Sequence, residues 1–380
     1  MRAASVSDYR ELARRRLPNI FFEYIDGGSY AEETLRRNVA DLEAIALRQL
    51  VMRDTTKLDM TVQALGQTLK MPVGLSPVGM AGMYARRGET QAARAAANAG
   101  VPFCLSTVGV CSIEEVAATG TAPWFQLYML KDRGYMRELL QRAKAVGSPV
   151  LVFTVDLPTP GSRYRDIRSG FTGSTPLQAL LTQAIDGVTH PGWTWDVFVQ
   201  GRPHTLGSVQ GAVTEGRRVT DFLSWIARNF DRSVTWKDMD WVRETWDGPI
   251  VVKGVLDPAD ARDAVRAGAQ GLVVSNHGGR QLDGVKSSIS ALPRIAEAVG
   301  GDLEVFMDGG VRSGLDVLKA LALGAKACFV GRPWAWALGA GGQPHVEKML
   351  DTLRAELAVA MILTGCVNVR DAGRSLLDEG

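Results

Sequence analysis

The chain has 380 residues, of which 46% are apolar and 22% are charged, as is typical of a folded globular protein. Its 43 basic and 41 acidic side chains leave a formal net charge of +2, which argues against nucleic acid as the main partner. The four cysteines are scattered without a Cys-x-x-Cys pair, which excludes a disulfide framework and favours a reducing cytosol.

The N-terminal residues lack the apolar segment of a secretion signal, and the longest purely apolar stretch, 357–363, is too short to span a bilayer. Residues 1–71 are predicted to form a helical cap ahead of the first strand. From 72 to 340 a short apolar run, a turn and a helical pattern recur. The apolar runs are 72–78, 102–107, 123–130, 148–156, 249–255, 271–276, 303–310 and 327–332.

Each run is nearly continuous in apolar character, which is typical of parallel strands covered on both faces. Helical patterns lie between them, and one begins at Asp257-Pro258 while others end at Gly268 and Gly324. Eight strands alternating with helices over about 250 residues predict an α/β fold of the (β/α)8 TIM barrel type. A doubly wound sheet is the second possibility, but no G-x-G-x-x-G follows an early strand.

One stretch, 157–236, is too long for an ordinary βα loop and is predicted to be an insertion, or lid, after strand 4. Six of the nine tryptophans lie between 193 and 246. They either pack a small core of the insertion or form a membrane or partner surface. Residues 341–380 are predicted to form C-terminal helices, and the whole of 1–380 a single domain.

Polar side chains close all eight apolar runs, where barrel enzymes place their chemistry. They are Ser76, Ser106, Gln126 with Tyr128, Thr154 with Asp156, Lys253, Ser275 to His277, Asp308 to Gly310, and Gly331-Arg332. Packing alone does not explain polar residues at every position of one rim. The pattern therefore predicts a functional site at the carboxyl ends of the strands.

The motif SNHGGRQLDG (275–284) places His277 directly after a buried strand and Arg280 three residues later. A histidine can accept a proton near neutral pH, and an arginine can hold a carboxylate through two parallel hydrogen bonds. The motif predicts proton abstraction from a small anionic substrate.

A phosphate site is predicted from MDGGVRSG (307–314) and FVGR (329–332), because barrels often bind phosphate after strands 7 and 8. Lys253 ends an otherwise apolar strand, and an inward lysine requires an anionic partner. The pyrimidine edge of a flavin is one partner that fits.

Seven motifs together closely resemble the FMN-dependent L-2-hydroxyacid dehydrogenase/oxidase family. They are FFEYIDGG (21–28), WFQLY (124–128), FTVD (153–156), GSRYRD (161–166), VVKG (251–254), SNHGGRQLD (275–283) and DGGVRSG (308–314). The resemblance is closest to the quinone-linked bacterial L-lactate dehydrogenases, through YIDGGSYAEETLRRN (24–38), GMYARRGE (82–89) and GRPH (201–204).

The resemblance implies FMN as the cofactor and a role for each matching residue. It implies that the flavin ring contacts Pro77, Val78, Ser106, Gln126, Thr154 and Lys253. It implies that the ribityl phosphate is held by Asp308, Gly309, Gly310, Arg312, Gly331 and Arg332. Arg163, Arg280 and Tyr24 would bind the substrate carboxylate, Tyr128 its hydroxyl or carbonyl oxygen, and His277, paired with Asp156, would be the base.

The implied reaction is oxidation of L-lactate, or a similar small L-2-hydroxy acid, to the 2-oxo acid, with electrons passed to a quinone. Gly79 stands where family oxidases commonly carry alanine, which favours a dehydrogenase. An oxygen-using oxidase and a mandelate dehydrogenase are the alternatives, and hydride and carbanion routes both stay open. A metal-dependent hydrolase would need more histidines and carboxylates at the rim, and a non-catalytic flavin-binding barrel would not need His277.

The family further implies a homo-oligomer, tetrameric or octameric, located in the cytoplasm or peripherally on the cytoplasmic side of the inner membrane. A membrane contact is predicted within 170–230, where 176–185 would form an amphipathic helix and Trp193 and Trp195 would lie at the headgroups. The alternative is that these residues pack on the barrel as a lid.

Overall fold

A computed structural model describes residues 2–172, 184–209 and 228–378. The chain begins with three helices, α1 (Val6–Arg16), α2 (Asn19–Asp26) and α3 (Glu33–Ala44). A two-stranded antiparallel hairpin follows, β1 (Val62–Ala64) and β2 (Gln67–Leu69), which the sequence pattern did not predict. Its buried side chains join those of the barrel interior, so the hairpin closes one end of the barrel.

Eight parallel strands form the central sheet, as predicted. They are β3 (Val73–Leu75), β4 (Cys104–Ser106), β5 (Trp124–Tyr128), β6 (Leu151–Thr154), β7 (Ile250–Val255), β8 (Gly271–Val274), β9 (Glu304–Asp308) and β10 (Ala327–Val330). β10 pairs with both β9 and β3, and a parallel bridge from Leu75 to Phe103 connects β3 to the start of β4. The (β/α)8 barrel prediction is confirmed.

Aromatic side chains fill the barrel interior. The ring centroid of Trp124 lies 6.3 Å from that of Phe306 and 5.3 Å from that of Phe329. Small and β-branched side chains from the other strands complete this inner cluster. The interior is therefore a packed core, and the cleft lies at the strand ends instead.

Helices surround the sheet, with a second and larger core between the two layers. They are α4 (Gly88–Ala99), α5 (Ile113–Ala117), α6 (Arg133–Ala145), α7 (Tyr164–Arg168), α8 (Asp238–Thr245), α9 (Pro258–Arg266), α10 (Ser288–Val299), α11 (Gly314–Ala322), α12 (Arg332–Gly341) and α13 (Gln343–Thr364). The predicted helix ends are confirmed. The Asp257 carboxylate accepts the Ala259 N–H at 2.7 Å, and Gly268 and Gly324 adopt positive φ.

The insertion packs partly on the N-terminal cap. Trp193 is buried, its ring lies 5.3 Å from Phe21, and its Nε1 donates to the Met83 carbonyl at 2.8 Å. The prediction that Trp193 lies at a membrane headgroup layer is therefore wrong, because both its apolar face and its N–H are satisfied inside the protein. Trp195 is 62% exposed. Most of the predicted helix 176–185 lies outside the described residues.

Within the described ranges, no helix combines the length and apolar character that crossing a bilayer requires.

Candidate active site

A cleft of about 1070 Å³ opens at the carboxyl ends of the strands. It brings together predicted residues from eight separate segments of the chain. Its lining includes Tyr24, Pro77, Val78, Tyr128, Arg163, Lys253, His277, Arg280, Asp308, Gly309, Gly310, Arg312, Gly331 and Arg332.

Three of the residues predicted to meet the flavin ring form a buried hydrogen-bonded row at the ends of β4, β5 and β6. Ser106 Oγ donates to Gln126 Oε1 at 3.2 Å, and Gln126 Nε2 donates to Thr154 Oγ1 at 3.1 Å. The Thr107 N–H also donates to Gln126 Oε1, at 3.2 Å, which fixes the orientation of the amide. The row crosses three neighbouring strands, and these bonds fix the positions of its polar groups.

Lys253 points inward, as predicted, from the end of β7. Its Nζ lies 3.0 Å from Asp308 Oδ2 and donates to Ser275 Oγ at 3.0 Å. Burial lowers the pKa of Lys253, but Asp308 and Asp156 outweigh it and raise the pKa above its usual value. Within the described part of the chain, Asp308 Oδ1 is buried and has no hydrogen-bond partner. A fixed ammonium and a carboxylate oxygen with spare acceptor capacity therefore border the cleft.

Glycines shape the end of the cleft where phosphate was predicted. Gly309 and Gly310 adopt φ of +95° and +93°, and a Cβ on Gly310 would lie 2.1 Å from the Asn38 carbonyl oxygen. Only glycine fits here without strain. The backbone N–H groups of Arg312 and Ser313, just ahead of α11, donate to the Asp316 carboxylate at 2.9 and 3.0 Å, and the Gly314 N–H donates to Glu356 at 2.9 Å. Available backbone N–H groups are therefore expected from the glycines rather than from this helix end.

Two buried arginines lie beside these glycines. Arg312 stacks 5.0 Å over the Trp336 ring, and burial lowers its pKa to about 10. Arg332 donates to the carbonyls of Asp26, Gly27 and Gly278 at 3.2, 2.7 and 2.8 Å. Burial, followed by the nearby Arg280 and Arg312, lowers the pKa of Arg332 well below its usual value. Cations held this close together are stabilised by a bound anion.

His277 and Asp156 form the predicted pair. The distance from His277 Nδ1 to Asp156 Oδ1 is 2.9 Å, and His277 adopts a left-handed φ of +57°. Burial lowers the pKa of His277 below its usual value, although Asp156 acts to raise it. Burial acts to raise the pKa of Asp156, but His277 and Lys253 together outweigh burial and bring the pKa below its usual value. The carboxylate therefore stays ionised. A neutral imidazole beside a fixed carboxylate is the arrangement of a general base.

The position of Asp156 in this pair also explains why residue 254 is a glycine. Gly254 has φ of +109°, and a Cβ there would lie 2.5 Å from the Asp156 Cγ. The carboxylate packs directly against the backbone of β7, so no larger residue fits without displacing it.

The two arginines predicted to bind a carboxylate line one side of the cleft, around Tyr24. Arg280 Nη1 donates to the carbonyls of Tyr24 and Gly27 at 2.6 and 2.7 Å, and its guanidinium lies 4.9 Å over the Tyr24 ring. Arg163 lies 5.9 Å from the same ring and 3.8 Å from Asp166. Burial, followed by Arg280, lowers the pKa of Arg163. These adjacent cations favour binding of an anion between them.

Tyr128, the last residue of β5, also lines the cleft. It is buried, and its ring lies 4.9 Å from Phe230. Burial raises the pKa of its hydroxyl, and the negative charge of Asp156 raises it further. The phenol therefore stays protonated and can donate a hydrogen bond. The structure thus brings five of the predicted catalytic and substrate residues to one cavity, and the sixth, Asp156, adjoins it through its bond to His277.

The sequence analysis missed a buried amide pair behind this site. Asn38 Nδ2 donates to Asn276 Oδ1, and Asn276 Nδ2 donates to Asn38 Oδ1, both at 2.8 Å. The Gly279 N–H donates to Asn276 Oδ1 at 3.0 Å. The pair ties α3 to the loop that carries His277. The SNHGG motif was a signal for Asn276, but no local pattern pointed to Asn38.

The chemistry of this cleft fits FMN. A buried lysine and a hydrogen-bonded polar row suit a flavin ring, and two buried arginines beside strained glycines suit its phosphate. The carboxylate oxygen of Asp308 that lacks a partner can accept a hydrogen bond from a ribityl hydroxyl.

Comparisons with known proteins agree with this chemistry. A family model described as FMN-dependent dehydrogenase matches residues 13–379. An L-lactate dehydrogenase of Xanthomonas campestris pv. campestris (strain B100) is 57% identical over 377 residues, which cover 99% of this chain and 97% of the relative. An L-lactate dehydrogenase of Haemophilus influenzae (strain PittEE) is 56% identical, covering 97% and 96%.

Solved structures match over nearly the same extent. The monotopic membrane protein (S)-mandelate dehydrogenase has a TM-score of 0.92 at 31% identity and covers 100% of both chains. A mandelate oxidase has a TM-score of 0.84 at 39% identity and covers 99% of this chain and 98% of its own. Because the family model and these relatives extend over almost all of the sequence, the chain belongs to the FMN-dependent dehydrogenase family and uses FMN as its cofactor.

Proposed function

We propose that this enzyme oxidises L-lactate, or a similarly small L-2-hydroxy acid, to the 2-oxo acid. The observation that carries the proposal is that His277, which is paired with Asp156, and two arginines line the same cleft as Lys253 and the glycines and arginines expected to bind FMN. The similarity to L-lactate dehydrogenases at 56–57% identity supports this substrate class.

The arginines orient the substrate. Arg163 and Arg280 bind its carboxylate, because two adjacent guanidinium groups offer several N–H donors to an anion. Tyr24 lies against both cations and limits their movement. Tyr128, which lines the same cleft, donates its phenol hydrogen to the hydroxyl or carbonyl oxygen of the substrate. These contacts place the α-carbon and its hydroxyl between His277 and the cofactor residues.

His277 accepts the substrate proton at Nε2, since its Nδ1 is occupied by Asp156. The carboxylate then stabilises the imidazolium that forms. When bound, FMN supplies the two-electron acceptor of the reaction. Lys253 places a positive charge at the cleft, where negative charge accumulates as electrons arrive. Ser106, Gln126 and Thr154 would hold the ring, with Pro77 and Val78. Gly309, Gly310, Arg312, Gly331 and Arg332 would hold the ribityl phosphate, and Asp308 would accept a hydrogen bond from a ribityl hydroxyl beside it.

A mandelate dehydrogenase is the second candidate, because the fold is very similar to that of (S)-mandelate dehydrogenase. Steady-state rates with L-lactate, D-lactate, glycolate and (S)-mandelate, measured with a soluble dye as the acceptor, decide between the two. We expect the highest kcat/KM with L-lactate and no turnover of D-lactate. A higher kcat/KM with (S)-mandelate would replace the first candidate by the second.

The proposed electron acceptor is a quinone rather than oxygen. Gly79 lies in the cleft wall, and a Cβ on it would lie 2.9 Å from a methyl of Val108. An alanine at this position would force the Val108 side chain to shift, so the cleft wall accepts only glycine as it stands. Anaerobic reduction followed by mixing with a soluble ubiquinone analogue or with oxygen tests the acceptor. We expect reoxidation by the quinone to be much faster, and faster reoxidation by oxygen would indicate an oxidase.

We further propose peripheral contact with the cytoplasmic face of the inner membrane. The insertion exposes a group of large apolar side chains, which we call the Trp195 face: Ile185, Val188, Trp195, Phe198 and Val199. Val188 is 82% exposed and Ile185 is 62% exposed. An exposed apolar group of this size, next to Arg202 and Arg86, is typical of a surface that inserts among lipid headgroups.

Sedimentation with vesicles of phosphatidylethanolamine and phosphatidylglycerol tests this contact. We expect Trp195→Glu combined with Val188→Glu to abolish sedimentation while dye reduction continues. Val51→Glu, a matched change at another exposed apolar residue, should leave sedimentation unchanged. If the double variant sediments like the unchanged protein, the Trp195 face does not bind lipid.

A homo-oligomer, tetrameric or octameric, completes the proposal. The outward side of α13 exposes Val359, Ile362 and Leu363, which a second copy of the chain would cover. Light scattering coupled to size-exclusion chromatography measures the mass directly, and a monomer at micromolar concentration would refute the oligomer.

A further inference from the structure

The end of helix α2 holds two arginines with different proposed partners. Arg280 Nη1 and Arg332 Nη2 both donate to the Gly27 carbonyl, each at 2.7 Å. Arg280 also donates to the Tyr24 carbonyl, and Arg332 to the Asp26 carbonyl. These carbonyls carry the negative end of the helix dipole, which suits buried cations. One short stretch of backbone therefore orients both the substrate arginine and a phosphate arginine.

The Asp26 side chain fixes this stretch of backbone. It is buried and accepts from Arg10 Nε and Nη2 at 2.6 and 2.8 Å, and from Arg165 Nη1 at 2.8 Å. Arg10 belongs to α1 and Arg165 to α7, so the carboxylate joins three helices. Burial acts to raise the pKa of Asp26, but Arg10 and then Arg332 outweigh it and keep the pKa below its usual value. Asp26 is thus a permanent anion at this junction.

We infer that Asp26 is a positioning residue that couples the two halves of the active site. By holding the end of α2 between α1 and α7, it fixes the carbonyls that orient Arg280 toward the substrate and Arg332 toward the cofactor phosphate. This inference rests on the proposed function, because it uses the substrate role of Arg280.

Positioning and plain electrostatics make opposite predictions for Asp26. Both ligands are anionic, so removing a nearby negative charge would by itself strengthen their binding. Loss of positioning instead disorders the arginines and weakens binding of both ligands. A variant that keeps the shape of the side chain but removes its charge separates the two effects.

The test compares Asp26→Asn with Glu23→Gln in the full-length protein. Glu23 is the matched control, since it lies on the same helix and contacts the same Arg165 at 3.4 Å, but at the surface. The three measurements are the KM and kcat for L-lactate with a dye, the Kd of FMN for the apoprotein from quenching of FMN fluorescence, and the thermal unfolding midpoint.

For Asp26→Asn we expect the KM and the FMN Kd each to rise about tenfold, the factor that corresponds to about 1.4 kcal/mol. The kcat should change much less, because the contact between Arg280 and the substrate carboxylate is present both in the bound substrate and in the transition state. Glu23→Gln should leave both constants unchanged. If Asp26→Asn does not fold, Arg10→Gln, which removes one partner of Asp26 at a half-exposed position, should shift both constants in the same direction.

A lower unfolding midpoint with unchanged KM and FMN Kd would overturn the inference and leave Asp26 a purely structural residue. Tighter binding of either anion would also overturn it. These outcomes are distinct from failure of the proposed function, in which the unchanged enzyme itself would not oxidise L-lactate.

Discussion

Replacing Asp156 with asparagine is expected to slow the oxidation step strongly while FMN stays bound. Asp156 Oδ1 lies 2.9 Å from His277 Nδ1, which places the centres of a carboxylate and an imidazolium about 4 Å apart. At an effective dielectric constant of about 20, this attraction is about 4 kcal/mol. Because about 1.4 kcal/mol corresponds to a factor of ten, the rate should fall by about 10³.

The pH dependence gives an independent check with a defined sign. His277 must be neutral to accept a proton, so kcat/KM falls on the acid side as pH drops through its pKa. Burial holds this pKa below the usual value, and Asp156 acts to raise it. Loss of the carboxylate therefore lowers the pKa of His277 further, and the acid limb should move to lower pH.

Anaerobic stopped-flow measurement of flavin bleaching by L-lactate, across the acid range, reports both quantities. The FMN Kd is the control and should stay unchanged, since Asp156 is not among the proposed phosphate residues. A variant with a rate within tenfold of the unchanged enzyme and an unmoved acid limb would refute the role assigned to this pair.

Three further substitutions probe other parts of the cleft. Arg280→Lys should raise KM and lower kcat for L-lactate in steady-state assays, since a lysine cannot keep the two carbonyl contacts and also offer a planar pair of donors to the substrate carboxylate. Unchanged kinetics would mean that the substrate carboxylate binds elsewhere. Gly310→Ala should abolish FMN binding in a fluorescence titration, because the backbone has φ of +93° and the new methyl would lie 2.1 Å from the Asn38 carbonyl; normal binding would contradict this. Asn38→Ala should lower kcat by about tenfold, with FMN still bound, because it removes a buried partner of the loop that carries His277; an unchanged kcat would show that the amide pair does not position the base.

The barrel and its rim were predictable for a physical reason. Parallel strands buried on both faces need continuous apolar runs, and the polar residue that ends each run marks the rim. Lys253 is an example, because a lysine inside an apolar strand requires a buried anion, and the structure places Asp308 at 3.0 Å. The observed strands are shorter than the apolar runs, and the polar residues of the rim either end a strand, as Asp308 does, or follow it, as His277 does.

Other features depend on contacts between distant segments, which leave no local pattern. Asn38 and Asn276 are 238 residues apart, and Arg165 is 139 residues from Asp26. The hairpin β1–β2 has three residues in each strand, too few for a recognisable alternation. For Trp193 the sequence left two possibilities open, a membrane surface and a lid packed on the barrel, because a large aromatic ring suits either a headgroup layer or a core. The contact of Trp193 with Phe21 of the cap shows that its ring belongs to the core. Sequence periodicity could not reveal this contact, because the two residues are far apart in the chain.

Anaerobic titration of the purified protein with L-lactate, with His277→Ala measured alongside, is the most direct test of FMN-dependent lactate oxidation with His277 as the base. We expect L-lactate to bleach the flavin of the unchanged enzyme and to form pyruvate in equal amount. We expect His277→Ala to keep its flavin and to bleach slower by about 10²-fold or more, the usual cost of losing a general base. A flavin that stays coloured with L-lactate but is bleached by dithionite would contradict the proposed reaction, and a normal rate of bleaching in His277→Ala would contradict the role of His277.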